Sequence, residues 1–184
     1  EADLFAERVD GMPFTSVYFG GGTPSLLTPP AMRMLFQHFY SQFHVPEGTQ
    51  VVFEGNPDSL KPNKVDILAG EGRVTRLTIG IQTLDPDVQK YVRRYNKHED
   101  VEAALRAARS GGIPHINFDC IAGLEGQSME SFQRDVRYLL SLEPDSIHLN
   151  GFRPLPRTNF RQEGRAMSLE QERLRDEMLA WGHE

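Results

Sequence analysis

The residues of this chain best suited to holding a ligand recur at regular intervals. Gly20-Gly21-Gly22-Thr23-Pro24 follows one short β-branched and aromatic run, Glu54 follows a second, Gln82 a third, Asp119 a fourth and Asn150 a fifth. In parallel α/β folds ligands bind at the carboxyl ends of strands, where successive loops meet. Five polar sites, each at the end of a strand, therefore describe one rim of a pocket. Any one of them has a plainer explanation, since strands turn polar on leaving a core; the repetition carries the reading. Three glycines in succession strip one turn of side chains, so a ligand can reach its N–H and carbonyl groups directly, although a tight turn alone also calls for glycine. The run departs from G-x-G-x-x-G because Thr23 and Pro24 break the spacing, and it lacks the lysine of a P-loop. A nucleotide phosphate is therefore not the expected ligand. Glu54 and Asp119 can accept hydrogen bonds from ammonium or ribose hydroxyl groups, and Gln82 can both donate and accept. Such a rim suits a polar, zwitterionic nucleoside.

The elements that must position these groups alternate in type. Ser16-Val17-Tyr18-Phe19 reads as a strand, and a helix begins after Thr28, whose hydroxyl can cap free N–H groups while Pro29 and Pro30 fill first-turn positions needing no donor. Met32, Leu35, Phe36 and Phe39 form its apolar face. Gln50-Val51-Val52-Phe53 is a second strand, followed by a helix around Val65, Ile67 and Leu68 that stops at Gly70, expected as a left-handed cap. Arg76-Leu77-Thr78-Ile79 is a third strand, with helical residues from Val101 to Ala108 after it. His115-Ile116-Asn117-Phe118 is a fourth, leading to a helix from about Ser128 to Leu142, and Ser146-Ile147-His148-Leu149 is a fifth. A helix from Ser168 to Trp181 follows. Strands alternating with helices predict βα units around a parallel sheet. Five units fit an open doubly wound sheet and equally part of a barrel, which takes about 250 residues when complete. The Pro154-Leu155-Pro156 stretch is the one break in the pattern, and the 184 residues read as a single domain.

Composition narrows the partners. A net charge of −6 and the lack of a dense Lys/Arg run argue against binding nucleic acid through its phosphates. No apolar stretch approaches the roughly 20 residues that cross a bilayer, and the amino terminus has no basic-then-apolar leader pattern, so a cytoplasmic protein with no membrane partner is expected. The single cysteine, Cys120, cannot form an internal disulfide or hold a metal cluster, both of which need several thiolates. It reads as a buried strand residue, a role free cysteine fills readily. His148 and Asn150 can face a substrate, although a lone strand histidine is more often hydrogen-bonded within the fold.

Four segments then carry a family likeness. Val17-Tyr18-Phe19-Gly20-Gly21-Gly22-Thr23-Pro24-Ser25, Glu54-Gly55-Asn56-Pro57-Asp58, Ile79-Gly80-Ile81-Gln82-Thr83 and Asn117-Phe118-Asp119-Cys120-Ile121-Ala122-Gly123-Leu124 resemble, in order and spacing, successive segments of the oxygen-independent coproporphyrinogen III oxidases, radical S-adenosylmethionine enzymes. The likeness runs from about Ser16 to Pro156. It implies an α/β fold, a partial (βα) barrel of about six units, with residues 1–10 ending a preceding helix and 157–184 forming a helical extension.

In that family a Cys-x-x-x-Cys-x-x-Cys loop after the first strand holds a [4Fe–4S] cluster, which binds S-adenosylmethionine and generates a 5′-deoxyadenosyl radical. No such loop occurs here, so the cluster would not be ligated by this chain; the expectation is an enzyme core whose first unit, with the cluster loop, lies upstream. Carried over by position, the resemblance makes Gly21, Gly22 and Thr23 the backbone site for the methionine amino group, and Glu54, Gln82, Arg94 and Asp119 the side-chain contacts to the cofactor. Arg93 stands where the family usually has asparagine before an arginine, leaving Arg93 and Arg94 as alternatives, and both can equally be a solvated helix end. Glu125 replaces a common proline, and Cys120 an aliphatic residue. The family also implies a small-molecule substrate, a tetrapyrrole among the candidates, and open barrel edges through which the chain can self-associate. A degenerate barrel that binds a nucleoside or a heme-related ligand without catalysis is the alternative. A flavodoxin-like sheet holding phosphate at the glycine turn is a third reading.

Overall fold

The computed structural model describes Val9, residues 11–154 and residues 166–183. The expected helix end in 1–10, apart from Val9, lies outside the described residues, as do Leu155 and Pro156 of the proline-rich break and 157–165 of the carboxyl-terminal extension.

Five strands are present among the described residues: β1 (Ser16–Phe19), β2 (Gln50–Gly55), β3 (Arg76–Gln82), β4 (His115–Ala122) and β5 (Ser146–Gly151). They form one sheet in the order β1-β2-β3-β4-β5, the order of an α/β chain that adds each βα unit beside the last. β1 and β2 pair in parallel with Ser16 opposite Gln50, and β2 and β3 in parallel with Val52 opposite Arg76. The helices are α1 (Pro29–Gln42), α2 (Pro62–Ala69), α3 (Pro86–Val92), α4 (His98–Ser110), α5 (Met129–Ser141) and α6 (Leu169–Trp181).

The chain divides into two compact units, Glu1–Gly80 with Glu99–Asn117 and Ile81–His98 with Phe118–Glu184. In the first, α1 begins as expected, with the Thr28 side chain accepting from the Ala31 N–H and prolines in the first turn. Its Met32 and Phe36 are fully buried. Phe36 meets Phe19 edge-on at 5.2 Å between ring centres, and Phe39 meets Phe19 at 5.1 Å, geometries that add to simple area burial. Val65, Ile67 and Leu68 of α2 are all buried, as are Leu77 and Ile79 of β3. In the second unit Ala122, Phe132, Val136 and Met178 form a buried cluster against which Leu149, Leu174 and Trp181 pack. The helices flanking it start on capping boxes, Ser128 with Ser131 and Ser168 with Gln171.

Three expectations change. β1 has its expected bounds, but β2 to β5 run two to four residues further than their apolar runs, because ladder hydrogen bonding in a parallel sheet does not stop at the first polar side chain; Glu54, Gln82, Asp119 and Asn150 therefore lie within strands. Gly70 is not a left-handed cap, with φ at −79°; the left-handed residue of that turn is Arg73, at φ 49°. A short helix, α3, adds to the expected strands and helices and ends at Arg93, where a helix end is one of the alternatives for the two arginines; it is started by the Asp85 carboxylate accepting from the Asp87 and Val88 N–H groups with Pro86 beside it.

Candidate functional site

In the first unit the site is the turn after β1. Each of its glycines is there for a different reason. A Cβ on Gly20 would overlap the Tyr18 ring and sit 2.9 Å from Glu54 Oε2, so a side chain there would have to displace both. Gly21 has φ +117°, a conformation that L side chains rarely adopt. Gly22 has neither constraint: its backbone is ordinary and a Cβ there would meet nothing within 4 Å. Gly21 and Gly22 both present an open face, and only at Gly22 is that face not accompanied by a backbone conformation that requires glycine. Beside it lies Glu54. Its carboxylate accepts from the Tyr18 hydroxyl on Oε1 and from the Gly21 N–H at 3.2 Å on Oε2. An ionised carboxylate has about four lone-pair sites, so acceptor capacity remains. The Thr23 hydroxyl donates to the Gly22 carbonyl at 2.6 Å, tightening the turn. Behind it the buried Ser25 and Ser59 hydroxyls lie 2.6 Å apart, the Asn56 N–H donates to Ser25 Oγ at 3.0 Å, and Lys64 donates to the Ser25 carbonyl at 2.6 Å. The turn is thereby fixed to the loop after β2.

In the second unit Gln82, Val92, Arg94, Ile121, Leu124 and Phe152 line a cavity of about 220 Å³. Apolar walls with one amide and one guanidinium suit a flat, partly polar ligand group. Arg94 belongs to this lining, whereas Arg93 takes the left-handed position that ends α3, at φ 53°. Asp119, on β4, is half-buried and lies 3.4 Å from His148 Nδ1 on β5. His148 and Asn150 are both exposed.

Gln82 itself is unusual. Its φ is +67°, and the Thr83 N–H donates to the Ile81 carbonyl at 2.8 Å, closing a three-residue turn around it. That is the rare, strained form of γ-turn, with a cost of order 1–3 kcal/mol that surrounding contacts must offset. Those contacts are present: Asn96 Nδ2 donates to the Ile81 carbonyl at 2.7 Å, Gln89 Nε2 to the Thr83 carbonyl at 3.1 Å, and the Thr83 hydroxyl and Leu84 N–H both donate to Asp135 Oδ2 at 2.8 Å. Sequence reading missed Tyr18 and Asp135. Tyr18 could have been found from strand alternation, which places it on the opposite face from buried Val17; Asp135 looked like an ordinary polar position on a helix.

Cys120 is buried on β4, and burial, with Asp135 and Asp119 near, pushes its thiol far up from its ordinary pKa. Metal ligands are thiolates, so this cysteine is poorly suited to hold iron. Among the described residues no group of three or more His, Cys, Asp or Glu side chains is placed to hold a metal ion. The residues do not fit a [4Fe–4S] cluster.

The family model of the radical SAM superfamily matches residues 2–139. The chain is 32% identical over 146 residues to an oxygen-independent coproporphyrinogen III oxidase of Paracoccus denitrificans, covering 79% of this chain and 32% of that protein. It is 30% identical over 155 residues to the heme chaperone HemW of Bacillus subtilis, covering 82% of this chain and 40% of that one. The chain thus spans well under half the length of these relatives. The structure of coproporphyrinogen III oxidase (HemN) from Escherichia coli, described as a radical SAM enzyme, superposes with a TM-score of 0.83 at 26% identity, over 98% of this chain and 43% of that one. The sheet in chain order is in keeping with the partial (βα) barrel of such enzymes. With the family model spanning 2–139 and the glycine turn, Glu54, Gln82 and Asp119 all within it, this chain belongs to the radical S-adenosylmethionine superfamily.

Proposed function

We propose that this chain is the S-adenosylmethionine-binding part of a cytoplasmic oxidoreductase of the oxygen-independent coproporphyrinogen III oxidase type, acting on a tetrapyrrole. The observation that carries the reading is the glycine turn, where Gly22 leaves an open, unstrained backbone face beside a carboxylate already aimed by Tyr18 and the Gly21 N–H. The backbone of Gly21, Gly22 and Thr23, with Glu54, receives the amino group of the methionine moiety. Gln82, Arg94 and Asp119 contact the rest of the cofactor, the Asp119 carboxylate accepting from the ribose hydroxyls. S-Adenosylmethionine, when reduced by a [4Fe–4S] cluster, supplies hydrogen-abstracting chemistry; the cluster's thiolates must come from cysteines this chain does not contain, since its one cysteine is buried. The chain's own contribution is to bind and orient the cofactor.

What supports the tetrapyrrole is the family of relatives, named for coproporphyrinogen III. Among the described residues no helix is long and apolar enough to cross a membrane. β1 and β5 end the strand order, and unpaired edges template association, so light scattering of the chain should show self-association; a monomer with every edge amide protected from exchange would contradict this. The function is tested by calorimetric titration with S-adenosylmethionine. Binding that is weak, and lost in Gly22→Val, is expected; binding insensitive to Gly22, Glu54, Gln82 and Asp119 would overturn the assignment.

A further inference from the structure

Among the described residues, the strained turn at Gln82 has an anchor that is not local, Asp135. Gln89 and Asn96, which bond the carbonyls on either side, belong to the same stretch of chain as the turn and would move with it. Asp135 lies on α5, 52 residues beyond Thr83, and only 6% of its surface is exposed. One oxygen, Oδ2, accepts both the Thr83 hydroxyl and the Leu84 N–H, each at 2.8 Å. The Thr83 hydroxyl in turn accepts from the Asp85 N–H at 3.2 Å, and the Asp85 carboxylate caps α3. The residues immediately after Gln82 are thus tied, through a single buried carboxylate, to a helix packed in the core of its unit.

Burial of this carboxylate is unfavourable, and its carboxyl is raised above the usual range chiefly for that reason. A buried acid that fixes the backbone beside a left-handed residue has a use beyond packing, because an apolar side chain of similar size would fill the same space at lower cost. We propose that Asp135 is a positioning residue: by accepting from Thr83 and Leu84 it holds Gln82 in the left-handed turn that presents its side chain to the cavity shared with Arg94, Ile121, Leu124 and Phe152. Its relevance to cofactor binding rests on the reading of Gln82 as a cofactor contact.

The test uses this chain with S-adenosylmethionine as the probe, in Asp135→Leu, Asp135→Asn and Gln82→Ala. Asparagine keeps an oxygen able to accept both bonds; leucine does not. In Asp135→Leu, folded by circular dichroism, the Gln82 Cα and Cβ chemical shifts should move from left-handed to extended values. Exchange of the Leu84 amide should accelerate by about tenfold or more, and cofactor affinity should fall about tenfold, as for loss of a buried hydrogen bond. Asp135→Asn should restore all three. If Asp135→Leu does not fold, Thr83→Val removes one of the two bonds and should shift the same signals part of the way. A folded variant with the wild-type Gln82 shifts and Leu84 protection would overturn the inference, as would failure of asparagine to restore them. If the turn moves but Gln82→Ala leaves affinity unchanged, the cofactor assignment of Gln82 has failed and the hold of Asp135 on the turn stands.

Discussion

Gly21 and Gly22 are adjacent in sequence, yet their substitution should have opposite consequences. At Gly21, φ +117° is strained for any L side chain although a Cβ has room, so Gly21→Ala must either accept a backbone cost of order 1–3 kcal/mol or rebuild the turn. For a chain of this size each kcal/mol lowers Tm by about 2–4 °C, which places the loss between roughly 2 and 12 °C. At Gly22 the backbone is ordinary and no atom lies within 4 Å of an added Cβ. Gly22→Val should therefore behave as a surface substitution, within about 0.5 kcal/mol and roughly 2 °C of wild type. Its branched side chain would nonetheless project from the face assigned to the methionine amino group, beside Glu54, and S-adenosylmethionine binding should vanish. Thermal melts by circular dichroism and calorimetric titration of both variants separate the two effects. A Gly22→Val chain that melts like wild type and binds the cofactor equally well would refute the reasoning, because the open face would then be plain solvent.

Asp119→Ala should weaken S-adenosylmethionine binding by the ~1–3 kcal/mol of a polar contact left unpaired, roughly 5- to 150-fold, measured by NMR titration. Anaerobic reconstitution of this polypeptide followed by iron and sulfide analysis should yield no intact [4Fe–4S] cluster, since one cysteine supplies too few thiolates. Cys120, buried and with its thiol raised, should react with iodoacetamide at least about tenfold more slowly in the folded chain than in urea. Because burial raises the Asp135 carboxyl, its contribution to stability is present below the unfolded value of about 3.9 and lost as pH rises through the higher folded value. Melts across that window should show the wild type losing stability with pH relative to Asp135→Asn.

Much of the scaffold was legible because its signals are local. Thr28-Pro29-Pro30 announces a helix start, Val65, Ile67 and Leu68 fall on a buried face, and both carboxyl-terminal helices begin at serines that form capping boxes. Asp85-Pro86 carried the same kind of start signal for α3, but seven residues are too short for periodicity to register. Strand ends were less legible, since pairing with a neighbouring strand, rather than the strand's own composition, decides how far it runs. The positions of the candidate contacts were legible from the residues that follow each apolar run, while the manner of holding them was not. Three glycines look alike in sequence; the Tyr18 ring at Gly20, a φ of +117° at Gly21 and an open face on unstrained backbone at Gly22 distinguish them. The turn at Gln82 depends on Asp135, 52 residues past Thr83, and no spacing rule links them.

The most direct test of the cofactor site is a titration of the isotope-labelled chain with S-adenosylmethionine, followed amide by amide. Shifts should concentrate at Gly21, Gly22, Thr23, Glu54, Gln82, Arg94 and Asp119, and leave the cavity of 450 Å³ lined by Val45, Glu47, Thr49 and Arg73 undisturbed. Shifts confined to that second cavity, with the glycine turn and Gln82 unmoved at saturation, would contradict the account.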